Sequence, residues 1–262
     1  MPTLASGPPE PHHHRQVAES FGTDPERYDR ARPRYPGELI ARIAGPGREV
    51  LDVGCGTGIA SRQLRDAGCA VLGVDPDERM AAFARRSGVE VEVARFEDWD
   101  PAGRTFDLVV AAQTWHWVDP VAGAAKAARV LRPEGRLAVF GHAFRLPPEV
   151  ARAFAEVYRR AVPGSPFSAP QADRHEEVFD KAADGIRQAG GFGAVERWRF
   201  DWEQHYTRDA WLDQLSTTGM LTWLPEDKQA EVLDGAGAVL DALGGGFTMP
   251  GSTIAMVAAR ES

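Results

Sequence analysis

A glycine-rich turn carries the first residues whose types and spacing could do chemistry. The segment LDVGCGTG places Gly54, Gly56 and Gly58 directly after a short apolar run. Glycines at alternate positions let a chain turn tightly and bring its backbone closer to a ligand than a side chain would permit. The spacing is G-x-G-x-G, and Ile59 stands where a dinucleotide fingerprint has its last glycine. The turn therefore indicates a bound nucleotide-like ligand and disfavours a nicotinamide cofactor.

Two carboxylates accompany this turn. Asp52 precedes the first glycine, and Asp75 ends the next predicted strand, 17 residues after Gly58. A carboxylate at the end of that strand can accept hydrogen bonds from both hydroxyls of a ribose and would repel a 2′-phosphate. A glycine turn alone is a weak signal. Its combination with these two acids is more specific and predicts a nucleoside-binding site.

The elements that must position these residues follow from apolar runs that alternate with helical stretches. Strands are predicted at 50–53, 70–74, 89–93, 106–111, 136–140, 195–202 and 252–259. Helices are predicted over 37–44, 59–67, 120–130, 147–161, 176–189, 207–217 and 225–243, with one more that opens at Pro76–Asp77. Strands that alternate with helices of about ten residues imply βαβ units and a parallel sheet. The predicted fold class is α/β, a Rossmann-like, doubly wound and mostly parallel seven-stranded sheet with an N-terminal lid and a helical cap.

The chain is predicted to have four parts. Residues 1–16 form a flexible tail, and its histidines His12–His14 lack a distant fourth ligand, so no metal site is expected. The N-terminal lid is assigned to 17–45 and the Rossmann-like cofactor-binding core to 46–142. The remaining sheet strands, with a substrate cap, occupy 143–262. Within the last part the cap is assigned to 144–190 and 203–248, over the carboxyl edge of the sheet.

Composition excludes several classes of protein. The 262 residues include 30 basic and 38 acidic side chains, and the resulting net charge of −8 disfavours a protein that binds nucleic acid through its phosphates. No apolar run reaches the ~20 residues of a membrane span, and the first residues do not resemble a secretory signal. Two cysteines, Cys55 and Cys69, cannot cross-link a chain of this size. We therefore expect a reduced, cytoplasmic protein without a nucleic-acid or membrane partner, whose oligomeric state the sequence leaves open.

In these motifs the chain resembles the class I S-adenosylmethionine-dependent methyltransferases, in particular their small-molecule branch, which includes the trans-aconitate methyltransferases. LDVGCGTG resembles the first motif of the family, VLGVDPDERM the second, FDLVVAAQTWHWVD the fourth, and ARVLRPEGRLAVF the segment through the fifth strand. FGTDPERYDRARPRYP resembles the N-terminal lid of one bacterial and fungal subgroup. The likeness is close over residues 20–142 and looser over the last strand, IAMVAAR. It implies S-adenosyl-L-methionine as cofactor and a small-molecule acceptor as partner.

The resemblance assigns the cofactor-binding motifs as follows. The three glycines, with Cys55 and Thr57 between them, would pack against the cofactor, and Cys55 would be a small spacer. Asp52 would be oriented toward the methionine end of the cofactor. Asp75, with Pro76 beside it, would hold the ribose.

The adenine end departs from the family pattern. The family usually has an acid after the third strand that contacts the adenine amino group, and here Arg95 stands at that position. We therefore expect the backbone of Phe96 and the side chain of Glu97 to frame adenine, with a solvated turn as the alternative for Glu97. Gln113, after the fourth strand, is also assigned to the cofactor site.

Three lid residues match family positions near the methionine portion of the cofactor. They are Tyr28, Arg32 and Tyr35. A guanidinium pairs with a carboxylate, and an aromatic face attracts a sulfonium or ammonium group. The alternative is that the two tyrosines only fasten the lid to the sheet.

The segment Trp115-His116-Trp117 follows the fourth strand, at the edge where the acceptor must meet the methyl group. If it stays extended, Trp115 and Trp117 point one way and His116 the other. His116 is the candidate catalytic residue, as a general base, as a donor that positions the acceptor, or as a structural contact between the tryptophans. Trp115, Trp117 and His142 are the candidate substrate-contacting residues, and His142 is a second candidate base or a structural histidine.

The predicted function is methyl transfer from S-adenosylmethionine to a small molecule by in-line displacement. Two alternatives use the same cofactor motifs. One is a different S-adenosylmethionine chemistry, such as cyclisation or elimination, and the other is a regulator that binds the cofactor without catalysis. The sequence does not identify the acceptor or the atom that is methylated.

Overall fold

The computed structural model describes residues 21–164, 174–222 and 224–262. Its strands are β1 (Glu49–Val53), β2 (Ala70–Asp75), β3 (Glu90–Val93), β4 (Phe106–Ala112), β5 (Leu131–Phe144), β6 (Glu196–Thr207) and β7 (Gly246–Ala259). They form a seven-stranded sheet in the order β3-β2-β1-β4-β5-β7-β6. Neighbours among β1 to β5 are parallel, and β7 is antiparallel to both β5 and β6. The predicted α/β fold with a mostly parallel sheet is confirmed.

Helices connect and cover these strands. They are α1 (Pro25–Ala31), α2 (Gly37–Ile43), α3 (Ile59–Asp66), α4 (Glu78–Arg86), α5 (Pro120–Val130), α6 (Pro148–Ala161), α7 (Arg174–Ala189), α8 (Arg208–Leu215), α9 (Gly219–Thr222) and α10 (Glu226–Ala242). Short 3₁₀ turns lie at Phe21–Thr23 and Trp115–Trp117. None of the helices in these residues combines the length and the apolar character that crossing a membrane requires.

The central strands are buried on both faces, which explains their continuous apolar sequences. Leu108, Val109 and Val110 of β4 are fully buried between two clusters of side chains, one on each face of the sheet. Parallel strands need such cover because helical crossovers lie on both sides of them. The carboxyl ends of β1, β2 and β4 are thereby fixed side by side, and the predicted functional residues follow these ends.

The last two strands are longer than the sequence predicted. β7 begins at Gly246 rather than at 252, and its pairing with β6 runs without interruption from Glu196↔Val257 to Thr207↔Gly246. Pro250 and Gly251 interrupt the apolar pattern inside β7, so the sequence did not predict the part of this strand before residue 252. The two strands form a hairpin-like ribbon that starts in the sheet and ends in the cap.

The cap has its own apolar core. Its cluster joins α6, α8, α9 and α10 with the outer ends of β6 and β7, through residues that include Phe154, Tyr158, Tyr206, Trp211, Leu221, Leu240 and Phe247. The prediction that 144–190 belongs entirely to the cap is wrong for α7. Ala182 and Ile186 of α7 are buried with α5 and the sheet, so this helix covers a sheet face instead.

The N-terminal segment lies on this frame through polar contacts. Helix α1 has no buried residue. Arg30 donates to Asp213 of α8 at 2.8 Å, and Arg27 lies 3.4 Å from the same carboxylate. After α1, the strap 32–36 returns to the core, where Gln63 holds the backbone of Tyr35 with two hydrogen bonds of 2.8 and 3.0 Å. The predicted tail at 1–16 lies outside the described residues.

We expect Asp213→Asn to loosen α1 without unfolding the core. The Asp213 pairs are partly exposed, so the free energy of unfolding should fall by no more than about 1 kcal/mol. Tryptic cleavage after Arg27 and Arg30 should become faster, because these side chains lose their partner. In the control Leu39→Ala, a fully buried side chain is truncated, and the free energy of unfolding should fall by about 2–5 kcal/mol. An unchanged cleavage rate in Asp213→Asn would contradict this account of how α1 is attached.

Candidate active site

A cavity of about 560 Å³ opens at the carboxyl ends of β1, β2 and β4. Its floor is the glycine turn after β1, and the ends of β2 and β3 form one side. The ends of β4 and β5 form the other side. Residues of α1, the strap and α9 lie over it, and the lining includes Tyr28, Arg32, Tyr35, Gly54, Thr57, Asp75, Glu97, Gln113, His116, Trp117, His142 and Thr218. Open α/β sheets bind ligands at this crevice.

The glycine turn has the close approaches that its sequence predicts. Gly54 adopts φ +64°, and a Cβ there would lie 2.2 Å from Thr114 Oγ1. Gly58 adopts φ +83° and is the N-cap of α3. The Cys55 thiol is buried, packs toward Gly73, and has a pKa raised by burial. A buried thiol with a raised pKa is a poor nucleophile, which favours the predicted spacer role for Cys55.

Asp75 joins the glycine turn to the end of β2. Its Oδ2 accepts a hydrogen bond from the Gly56 N–H at 2.8 Å, and its Oδ1 accepts one from the Asp77 N–H at 2.9 Å. Burial raises the pKa of Asp75 to about 6, against the lowering effect of these two hydrogen bonds. Each carboxylate oxygen can accept more than one hydrogen bond, so the group has capacity left for a ligand in the cavity.

Asp52 does not reach the cavity, contrary to the role that the resemblance implies for it. Its side chain is fully buried beneath the turn, where Oδ2 accepts a hydrogen bond from Ser61 Oγ at 2.6 Å. Oδ1 has no hydrogen-bond partner among the described residues. Burial raises the pKa of Asp52 to about 7. Because β1 side chains alternate between faces, a residue two before the turn points into the protein and not along the strand.

The loop after β3 is held by a lysine that the sequence analysis missed. Phe96 is buried, and Arg95 and Glu97 line the cavity beside it with 3.8 Å between their charged groups. Lys126 of α5 donates a 3.0 Å hydrogen bond to the Glu97 carbonyl, and a second one to the Trp99 carbonyl. The available signal was a lysine in the middle of the alanine-rich sequence PVAGAAKAARV, since a charge among apolar residues of a covering helix needs a partner.

Arg32 links the strap to the cap. Its guanidinium donates to the Thr217 carbonyl at 2.7 Å and lies 4.8 Å from the centre of the Tyr28 ring. Its Nε is buried without a hydrogen-bond partner among the described residues. A guanidinium with a donor left over can take a carboxylate from a ligand in this cavity.

The segment after β4 is a 3₁₀ turn and not extended, so the alternation expected of an extended segment does not apply. Trp115 is buried in the core against Gly123 and does not line the cavity, which removes it as a substrate contact. His116 and Trp117 both line the cavity, with ring centres 4.7 Å apart. In a helical turn, successive residues differ by about 120° and not by the 180° of a strand. Burial lowers the pKa of His116 to about 4.

Gln113 and His142 are tied to each other at the ends of β4 and β5. Gln113 adopts φ +59°, and its Oε1 accepts a 2.6 Å hydrogen bond from the His142 backbone N–H. Gly141 makes room for this amide, because a Cβ there would lie 2.7 Å from Oε1. His142 lines the cavity but is itself buried, and burial lowers the pKa of its imidazole to about 4.

The cap contributes walls that sequence reasoning did not assign. Thr218 and Gly219, at the start of α9, line the cavity opposite the β4 end, and Phe144 closes the side beyond His142. Nothing in the local sequence marks Thr218 and Gly219, because they reach the cavity through the packing of the cap. Among the described residues, no three His, Cys, Asp or Glu side chains are placed to hold a metal ion.

Comparisons with known proteins agree with this geometry. The family model described as "Methyltransferase domain" matches residues 51–139. The chain is 33% identical over 182 residues to a malonyl-(acyl-carrier protein) O-methyltransferase from Enterobacter lignolyticus, covering 65% of this chain and 68% of that protein. It is 28% identical to an uncharacterized methyltransferase of Mycobacterium tuberculosis, over 84% of this chain and 85% of the other.

One solved structure is similar to the chain in both fold and sequence. It is assigned as a type II methyltransferase from Anaeromyxobacter dehalogenans and is 27% identical, with a TM-score of 0.59. The match covers 88% of this chain and 97% of that one.

The buried acids and histidines of the site have opposite effects on stability as pH changes. His116 and His142, with pKa values of about 4, bind fewer protons in the folded chain than in the unfolded chain between pH 4 and 6.5. Their contribution to stability therefore rises with pH in that range. Asp52 and Asp75, with pKa values of about 7 and 6, bind more protons in the folded chain. Their contribution falls as pH rises, so the two pairs oppose each other.

We expect Asp52→Asn to remove one of the two carboxylates whose contribution to stability falls as pH rises. Relative to the wild type, its free energy of unfolding between pH 4.5 and 6 should rise by up to about 1.4 kcal/mol per pH unit. Urea unfolding at several pH values in this range measures the slope. The control Asp66→Asn changes an exposed carboxyl at the end of α3 and should run parallel to the wild type. Parallel curves for Asp52→Asn as well would show that Asp52 is ionised in the folded protein.

Proposed function

Because the chain belongs to the class I S-adenosylmethionine-dependent methyltransferases, we propose that it transfers the methyl group to a small-molecule acceptor by in-line displacement. The observation that carries the proposal is the continuity of the cavity, which runs from Asp75 past the glycine turn to His116 and His142. One end has the groups that a nucleoside needs. The other end leaves a space lined by aromatic and neutral polar side chains.

The residues of the first end fit S-adenosylmethionine. Asp75 would accept the ribose hydroxyls with its remaining lone pairs, while Phe96 and Glu97 would frame the adenine. The glycine turn presents backbone in place of side chains, and a Cβ at Gly56 would meet only Met80, at 3.8 Å. The buried Nε of Arg32 offers a donor to the carboxylate of the methionine portion. When bound, the cofactor supplies a methyl group made electrophilic by its sulfonium.

The other end has no carboxylate among its described lining residues, which disfavours a cationic acceptor. Among the described residues that line it, from β4, β5, the strap and α9, Arg32 is the ionised side chain, and it is already assigned to the carboxylate of the cofactor, while His116 and His142 are neutral at physiological pH. The cavity carboxylates Asp75, Asp77 and Glu97 lie across β1, on the β2–β3 side. An ammonium acceptor would be buried without a counterion, which is unfavourable. The relative named a malonyl-(acyl-carrier protein) O-methyltransferase supports an oxygen acceptor.

Positioning and exclusion of water supply most of the proposed acceleration. The chain needs to hold the acceptor atom against the methyl group, in line with the bond that breaks. Such positioning raises a reaction rate by several orders of magnitude. The strap, α1 and α9 would cover the reacting atoms. His116 would accept a proton from the acceptor or orient its oxygen, and Trp117 would give the acceptor an aromatic wall.

We expect Asp75→Ala to weaken binding of S-adenosylmethionine by about 1.5–3 kcal/mol, the scale of charge-assisted hydrogen bonds. The protein should stay folded, because the substitution removes two hydrogen bonds to the turns but leaves the pairing of β2 with β1 and β3 in place. Isothermal titration calorimetry measures the affinity and circular dichroism the fold. The control Asp66→Ala removes an exposed carboxylate far from the cavity and should bind normally. Unchanged affinity in Asp75→Ala would place the ribose elsewhere.

His116→Gln tests the reacting end of the cavity. If His116 takes the proton, turnover should fall by about 10²–10⁴-fold while binding of S-adenosylhomocysteine is unchanged. The wild-type rate should then decline on the acid side with an apparent pKa near 4, because burial lowers the pKa of His116 to about 4. The exposed His205 gives the control, His205→Gln, which should alter neither quantity.

Two other results would separate the remaining roles of His116. Lost turnover without a change in the pH profile would make His116 a donor that orients the acceptor. Unchanged turnover with a lower melting temperature would leave it a structural contact beside Trp117 and contradict its role in the reaction. Product analysis separates methyl transfer, which yields S-adenosylhomocysteine, from cyclisation, which yields methylthioadenosine.

A further inference from the structure

Three neighbouring strands meet at a buried hydroxyl group behind the cavity. His142 of β5 is the direct cross-strand partner of Thr253 on β7, which is fully buried. Thr253 Oγ1 lies 3.0 Å from His142 Nδ1 and 3.1 Å from Trp202 Nε1 of β6. The three polar groups must satisfy one another, because buried donors and acceptors lose their water.

The donor and acceptor in each of these two hydrogen bonds follow from the protons that the three groups carry. The indole Nε1 of Trp202 can only donate, so it donates to Thr253 Oγ1. The hydroxyl keeps one proton of its own, and His142 Nδ1 is the acceptor within reach among the described residues. If Nδ1 carried the proton instead, the oxygen could accept from both nitrogens, but the hydroxyl proton would then be buried without an acceptor among the described residues, which costs the free energy of a lost hydrogen bond. That tautomer would also give up the ring N–H that the Pro33 carbonyl favours.

The ring proton of His142 therefore belongs to Nε2. The backbone carbonyl of Pro33 faces the same ring and raises the pKa of His142 by favouring a ring N–H. No acceptor in the described residues meets the full geometry of a hydrogen bond with Nε2. Burial and the nearby Arg32 both disfavour a second proton. A neutral imidazole with Nδ1 occupied and a proton on Nε2 has no lone pair available for a substrate.

The ring of His142 instead supports the strap. It stacks on the ring of Tyr35 with centres 4.8 Å apart and planes 10° apart, while Trp202 packs edge-on against it at 5.5 Å. Phe140 holds the Tyr35 ring from another side at 4.8 Å. With its backbone held by Gln63, Tyr35 is fixed at both its main chain and its ring where it lines the cavity.

We propose that His142 is a positioning residue and not a base: the Trp202–Thr253 pair holds its Nε2–H tautomer, and its ring fixes Tyr35 as a wall of the cavity. The part that concerns Tyr35 rests on the proposed function, because it assumes that the cavity binds S-adenosylmethionine. The tautomer does not depend on that assumption. The two parts are therefore tested by different measurements.

Nitrogen-15 NMR of the histidine-labelled full chain tests the tautomer. We expect a protonated Nε2 and an Nδ1 that accepts a hydrogen bond, both in the wild type and in Thr253→Ser, which keeps the hydroxyl. In Thr253→Val, of nearly equal volume, the Nδ1 resonance should move to that of a free acceptor. A protonated Nδ1 in the wild type overturns the proposal, whether or not the variants fold.

Calorimetry with S-adenosylhomocysteine tests the support of Tyr35. We expect Thr253→Val to bind it about tenfold more weakly, because a misplaced His142 ring releases Tyr35, and Thr253→Ser to bind like the wild type. Unchanged affinity in a folded Thr253→Val overturns the positioning role. A wild type that does not bind S-adenosylhomocysteine overturns the proposed function instead, and the NMR spectrum of the free protein still decides the tautomer.

Discussion

The carboxylate of Asp75 binds two strand ends together, and the shape of the site depends on it. One oxygen accepts the N–H of Gly56 in the turn after β1, and the other accepts the N–H that begins the turn after β2. These two turns must face each other across a fixed gap for any nucleoside to fit between them. The carboxylate sets that gap and presents its remaining lone pairs at the centre of it. A residue expected only to contact a ligand is therefore also part of the framework.

A second constraint is that the reacting end of the cavity carries little charge. Among the described residues, neutral imidazoles, an amide and aromatic rings line it, and the guanidinium of Arg32 already donates to the cap. In such surroundings an ion loses its water without gaining a counterion, so a charged acceptor is disfavoured relative to a neutral one. Selection of the acceptor by charge then needs no dedicated binding residue, since desolvation in the cavity discriminates between candidates.

The sequence predicted the central fold well because local rules decide it. Apolar runs ended by Gly54 and Asp75 mark strands of a parallel sheet whatever surrounds them, and the helix predicted over 120–130 is α5. Trp115 was misplaced because a three-residue turn changes the direction of its side chain without a sequence signal. Asp52 was misplaced because its role came from the resemblance alone, whereas the alternation of side chains along β1 points it into the protein. Thr218 was not found, since tertiary packing of the cap alone brings it to the cavity, and Phe144 was not found because β5 extends four residues beyond its predicted end at 140. The lid, the cap and the individual roles of the site residues stay predictions.

The ribbon of β6 and β7 determines how the cap can move. Its twelve residue pairs extend without a break from the sheet into the core of the cap, a length of about 40 Å at 3.4 Å per residue. Hinged domains close by changing a few backbone angles in loops or at the ends of elements, and a continuous hydrogen-bonded ladder offers no such joint. The ribbon therefore gives the cap no hinge where it joins the sheet. On the opposite side the cavity is covered by α1, a helix with no buried residue, so α1 is the part whose displacement would open the site at the smallest cost in buried surface.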